Sequence, residues 1–123
     1  MFKTILLVGI GGAVGSVMRY LTAVVVQKYY ASAFPLATFL TNAIGCFLIG
    51  LFVGWLAKNQ LSDSNFKWLL ITGFCGGYTT FSAFAFENVS LFQSDNSAIA
   101  FLYIASSVII GLAAVWGGLY LAK

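Results

Sequence analysis

The stretch Gly73-Phe74-Cys75-Gly76-Gly77-Tyr78-Thr79-Thr80-Phe81-Ser82-Ala83-Phe84-Ala85-Phe86-Glu87 lies inside an apolar run from about Trp68 to Phe92. A run of that length can cross a bilayer as a helix, which takes about 20 residues. Its centre, however, is poor helix. Gly76-Gly77 followed by Thr79-Thr80 predicts a break in mid-membrane. A break frees backbone carbonyls and amides, and lipid tolerates it only where it is buried in protein or lines a cavity. Broken helices are also where transporters place ion sites, with carbonyls facing cations and amides facing anions. The competing reading is a glycine hinge or packing notch in a continuous helix.

Working outward, three more apolar blocks flank this one, from about Thr4 to Val26, Leu36 to Ala57 and Ile99 to Ala122. The connections, Gln27 to Pro35, Lys58 to Lys67 and Gln93 to Ser97, are short and polar. Pro35, the only proline, stands at the start of the second block, where a helix tolerates it. Of 123 residues, 61% are hydrophobic and 7% charged, against about a quarter charged in soluble domains. This excludes an ordinary cytosolic domain, a nucleic-acid binder and a disordered chain. The expected fold is an all-α membrane protein of four transmembrane helices, one membrane domain over 1–123, spanning roughly 4–26, 36–57, 68–92 and 99–122.

Four spans put both termini on one side. That side would carry Lys3, Lys58, Lys67 and Lys123, and the other Lys28, with Arg19 nearby inside a span. The bias favours cytoplasmic termini only modestly, and a chain with so weak a bias could insert either way. Small residues spaced four apart, Gly11/Gly15, Gly12/Ser16 and Cys46/Gly50/Gly54, predict close helix packing. The absence of histidine excludes His metal sites and His-dependent triads. Cys46 and Cys75, both inside apolar runs, read as small packing residues. No nucleophile–base pair or phosphate-binding motif is visible, so no enzyme is expected.

Phe81 and Phe84, three apart, share a helix face; they either pack the bundle or turn their weakly positive ring edges toward an anion. Thr38 and Asn42 lie four apart in the second span. Asn42 can donate to an anion or glue helices together. Tyr103 and Ser107, with Ser106 beside them, form a hydroxyl track or bond back to their own helix. Arg19 and Glu87 are functional candidates by default, although both lie near span ends, from which a side chain can snorkel.

Gly11 to Tyr20, Ala37 to Gly45 and Gly73 to Ser82 together resemble the three signature stretches of the Fluc (CrcB) bacterial fluoride channels, and the likeness covers essentially the whole chain. The resemblance implies a dual-topology homodimer of two antiparallel copies in the bacterial inner membrane. It would hold two fluoride pores, each lined by both subunits, that export fluoride passively and confer fluoride resistance. Phe81 and Phe84 match the pore phenylalanines, and Asn42 the pore-facing asparagine. Thr80 and Ser82 match polar neighbours of the rings, and Thr38, Tyr103 and Ser107 a polar track. Gly111 stands where the family often has a hydroxyl. Arg19 matches an arginine near the pore entrance. Gly76 and Thr79 match positions whose backbone carbonyls hold a structural Na⁺ at the dimer centre. Glu87 matches a frequent acidic position, and its role stays open. Two other readings compete. A small dual-topology multidrug exporter needs a mid-membrane carboxylate, usually in the first span, where this chain has Arg19 and no acid. A non-transporting membrane assembly subunit would explain the glycine faces but not the clustering of Phe81, Phe84 and Asn42.

Overall fold

The computed structural model describes all 123 residues, Met1–Lys123, as helices joined by short turns, with no strand. Helix α1 is Phe2–Tyr29 and α2 is Leu36–Lys58. A π-helical segment, Lys67–Cys75, leads into one turn of α-helix, α3, Gly76–Tyr78. After a two-residue interruption come α4, Phe81–Gln93, and α5, Ser97–Leu121. Four stretches are long and apolar enough to cross a membrane: Phe2–Tyr29, Leu36–Lys58, Lys67–Gln93 and Ser97–Leu121. The third has the lowest mean hydropathy, 1.3 against 2.4 for the fourth, because it carries the polar break.

Helix α1 runs on past Val26 through Lys28 and Tyr29. Such side chains hold an apolar stem against the protein or lipid and put a polar tip in water, so the helix continues into the interfacial zone. Two helices stop on left-handed residues. Gln60 (φ 58°) and Asp95 (φ 64°) turn the chain, and Leu61 N–H then donates to the Leu56 carbonyl at 2.7 Å, as Asn96 N–H does to Leu91 at 2.8 Å. These bonds satisfy carbonyls that the helix ends would otherwise leave open.

The bundle is built from two glycine-welded pairs. On α1, a Cβ at Gly11 would strike the Leu69 carbonyl, and one at Gly15 the Phe74 carbonyl and the Tyr78 amide. On the other pair, Gly50 of α2 lies against the Val115 and Leu119 backbone of α5, and Gly118 lies against the Phe47 carbonyl. The small-residue faces therefore do what their spacing predicts: they let backbones touch. Lys58 Nζ donates to the Lys123 carbonyl at 3.2 Å, which places the ends of α2 and α5 together. Only 14 of 123 residues are buried, and the outer faces are lined by large apolar side chains. That inside-out pattern suits lipid as the solvent.

The interruption falls on the threonine half of the stretch expected to break. Gly76 and Gly77 stay helical, with Gly76 at φ −62° and ψ −37°. The chain leaves the helix at Thr79 (φ −88°, ψ 157°) and Thr80 (φ −151°, ψ 118°), near the middle of the third stretch. Gly77 serves contact instead: a Cβ there would run into the backbone of Gly12. The β-branched threonines, which prefer extended backbone, take the break. The nine-residue π-helix before it had no sequence signature; Gly76 N–H reaches back five residues to the Ile71 carbonyl. Wide turns of this kind concentrate at functional sites.

Candidate functional site

At the break each freed backbone group has to find a partner or remain open. Thr79 N–H and Oγ1 both donate to the Cys75 carbonyl, at 3.0 and 2.8 Å. Thr80 N–H donates to Asn42 Oδ1 at 2.8 Å, and Asn42 Nδ2 donates to the Thr80 carbonyl at 3.1 Å. One side-chain amide from α2 thus pairs with both backbone groups of Thr80. Thr80 Oγ1 caps α4 by accepting from Ala83 N–H at 3.2 Å. Ser82, exposed, places Oγ 3.3 Å from Thr80 Oγ1.

Four consecutive carbonyls, Gly76 to Thr79, lose their helical donors in this arrangement; Gly77 gains Arg19 instead, and Tyr78 gains none. The Gly76 carbonyl would ordinarily accept from Thr80 N–H, which Asn42 has taken. The Thr79 carbonyl would accept from Ala83 N–H, which the Thr80 hydroxyl has taken, and it accepts nothing else. Gly76 and Thr79 line the same cavity of about 320 Å³, with Asn42, Cys46, Cys75 and Phe81. Open carbonyl oxygens are the ligands a hard cation prefers. The residues expected to hold Na⁺ therefore fit such an ion in chemistry. Cys46 and Cys75 are free thiols.

Beyond the break the aromatic rings form a chain. Phe81 is 78% exposed, and its centroid is 5.7 Å from that of half-buried Phe84. Phe84 meets Tyr103 of α5 edge-on at 4.9 Å, and Tyr103 meets Phe34 edge-on at 5.3 Å. Tyr103 itself is 0% exposed. Its hydroxyl donates to Glu87 Oε1 at 2.8 Å, and Thr38 Oγ1 donates to Glu87 Oε2 at 2.6 Å. Glu87 does not snorkel: it turns inward and ties α2, α4 and α5 together. Its inward face was readable from its position three residues after Phe84. Its two partners were not, because they come from other helices.

The remaining candidates separate. Ser107 Oγ is buried and has no partner, as is Asn88 Oδ1. Ser106 bonds back to the Tyr103 carbonyl at 3.3 Å. Gly111 faces the Cys46 sulfur at a distance a Cβ could accept. Arg19 lines a second cavity, about 240 Å³, with Ser16, Thr38, Thr41 and Thr80, while its Nε–H donates to the Gly77 carbonyl at 3.1 Å. Thr80 borders both cavities, so the break is the partition between them.

The sequence model of a family described as "CrcB-like protein, Camphor Resistance (CrcB)" matches residues 6–119. A Flavobacterium psychrophilum protein named fluoride-specific ion channel FluC is 56% identical over 121 residues, 98% of each chain. One of the same name from Azobacteroides pseudotrichonymphae is 47% identical over 123 residues, 100% of this chain and 98% of its own. A Rhodococcus jostii protein, fluoride-specific ion channel FluC 2, is 47% identical over 120 residues, 98% of this chain and 99% of its own. With the match running through all four helices and the break, the chain belongs to the CrcB family.

Proposed function

We propose that this protein is a passive, fluoride-selective channel of the bacterial inner membrane that lets fluoride leave the cell and so confers resistance to it. The observation that carries the reading is likeness over 98% of the chain to a protein named as a fluoride-specific channel. The cavity at the break supports it, because Phe81, the Asn42 amide and Thr80 line it together.

Fluoride is small and tightly hydrated, so a pore must replace its water with donors. Asn42 uses one of its two amide hydrogens on the Thr80 carbonyl and keeps the other. Thr80, Ser82 and the unpartnered Ser107 supply hydroxyls along the same route, while Thr38 and Tyr103, whose hydroxyls donate to Glu87, border it. Phe81 and Phe84 supply weakly positive edges and a dry, narrow passage. With no fixed cation deep in this route, the ion is held weakly enough to leave. Arg19, in the cavity beside the break, draws anions toward it. An inside-negative potential drives an anion outward with about 2.3 kcal/mol per 100 mV, so no nucleotide or coupled ion is required.

The working unit of this proposal is an antiparallel, dual-topology homodimer with two pores, each lined by both copies. Three features support it: the weak Lys/Arg bias, the exposure of Phe81, and the outward cavity bearing Asn42, Gly76 and Thr79. Packing two breaks across a two-fold axis in mid-membrane would bring the Gly76 and Thr79 carbonyls of both copies around one structural Na⁺, which would lock the helices together. The exporter reading has no support in the geometry. Helix α1 has no carboxylate, and both oxygens of Glu87 are bound.

Efflux from liposomes holding the purified protein, with fluoride compared with chloride and with no proton gradient or nucleotide, tests the proposal. Rapid fluoride efflux with negligible chloride efflux is expected. No fluoride efflux from folded protein would refute it.

A further inference from the structure

Gly11, Gly15, Arg19 and Thr22 recur at helical spacing along one face of α1. The two glycines bring α1 into backbone contact with the third helix, at Leu69, Phe74 and Tyr78. Arg19 and Thr22 continue that face as polar clamps. Arg19 Nε–H donates to the Gly77 carbonyl at 3.1 Å, and Thr22 Oγ1 lies 3.0 Å from Tyr78 Oη. The last turn before the break, Gly76–Tyr78, is thus held from outside by α1. It needs such support: a three-residue turn between a π-helix and extended backbone has little helical ladder of its own. Gly77 also lies among Gly76, Tyr78 and Thr79, whose carbonyls are open.

We propose that Arg19 is a positioning residue for the break: by holding the Gly77 peptide plane it fixes the neighbouring Gly76 and Thr79 carbonyls in the orientation that a bound cation requires. The inference rests on the cation site proposed above and adds a role that an anion-attracting charge would not have. A guanidinium can do this because Nε donates in a fixed plane while the same side chain lines the cavity of Ser16, Thr38 and Thr80. A lysine would keep the charge in that cavity and lose the planar donor.

The test measures radioactive Na⁺ retained by the purified full-length protein after gel filtration in Na⁺-free buffer, for wild type, Arg19→Lys and Arg19→Met. Loss of one charge-assisted hydrogen bond is expected to lower retained Na⁺ by about tenfold or more in both variants. If Arg19→Lys retained as much Na⁺ as wild type, the positioning role would be overturned and a simple charge role would remain. Wild type that retains no Na⁺ would overturn the cation reading, and the positioning role with it. A second measurement needs no variant. Arg19 is the only arginine, so ¹⁵N-arginine labelling gives a single Nε–H signal. That signal should be protected from solvent exchange and should shift between Na⁺ and N-methylglucamine buffers. A freely exchanging, cation-indifferent signal in protein that holds Na⁺ would overturn the proposal.

Discussion

The two halves of the third membrane stretch are almost equal in length and opposite in construction. Before the break, Lys67–Tyr78 meets α1 backbone to backbone, through Gly11, Gly15, Gly12 and Gly77. After it, Phe81–Gln93 meets α2 and α5 through long side chains: Phe84 on Tyr103, and Glu87 on Thr38 and Tyr103. The first half is held by shape, where one added carbon has no room. The second is held by directional polar and ring contacts, which can be altered one at a time. Substitutions should therefore act on folding in the first half and on ion passage in the second.

The largest effect belongs to the first half. Gly15→Leu would drive a side chain into the Phe74 carbonyl and the Tyr78 amide. Overpacking costs about 1–3 kcal/mol even among yielding side chains, and backbone yields less. We expect no monodisperse protein in detergent from Gly15→Leu. Gly9→Leu, where nothing stands within 4 Å, should purify like wild type. Equal yields of the two variants would mean that the glycine weld is not what holds this half.

In the second half, Phe84→Ile should leave the fold intact and lower fluoride efflux by about tenfold or more, which is about 1.4 kcal/mol at the barrier. Phe81→Ile should do the same. Efflux from liposomes, with gel filtration to check assembly, decides the matter; wild-type rates in both variants would remove the rings from the route. Asn42→Leu sits between the two regimes, because Asn42 serves both. It leaves Thr80 N–H and carbonyl unpaired, at a cost of about 1–3 kcal/mol for a buried group, and it removes a donor from the pore. Loss of flux with an unchanged melting temperature would show that the amide serves the ion and not the break.

How much of this could be read from the chain alone follows the same division. Long apolar blocks announce the four crossings, because the bilayer sets a length that composition must meet. Glycine spacing announced the welded faces, because close approach is a local demand. The interruption was legible to within a few residues, but its seat was not. Glycine permits both a break and a contact, and only the position of Gly12 on α1 decides for contact at Gly77. The π-helix left no mark, since its wider turn is imposed by packing. Nor could the sequence show that Asn42 reaches Thr80, 38 residues away, or that Glu87 would find hydroxyls on two other helices. Those pairings exist only once the helices are set side by side.

Smaller effects probe the carboxylate and the track beside it. Tyr103→Phe removes one of the two hydrogen bonds to Glu87 and nothing of the ring stack. A loss of about 1 kcal/mol in stability and a severalfold drop in efflux are expected, read by thermal unfolding and liposome flux. Stability unchanged by the loss of this hydroxyl would mean that Glu87 is held by Thr38 alone.

The smallest change in structure gives the sharpest contrast. Ser107 Oγ is buried and has no partner in the protein, whereas its neighbour Ser106 bonds to the Tyr103 carbonyl. A buried hydroxyl without a partner costs about 1–3 kcal/mol by mutational measures, so a chain selected only for stability would do better with alanine there. Ser107→Ala should therefore raise the melting temperature slightly, and Ser106→Ala should lower it slightly. If Ser107 donates to a passing fluoride, the stabilised variant should also conduct more slowly, so stability and flux move in opposite directions. A Ser107→Ala variant that is both more stable and as fast as wild type would take this hydroxyl out of the track and leave Thr80 and Ser82 to carry it.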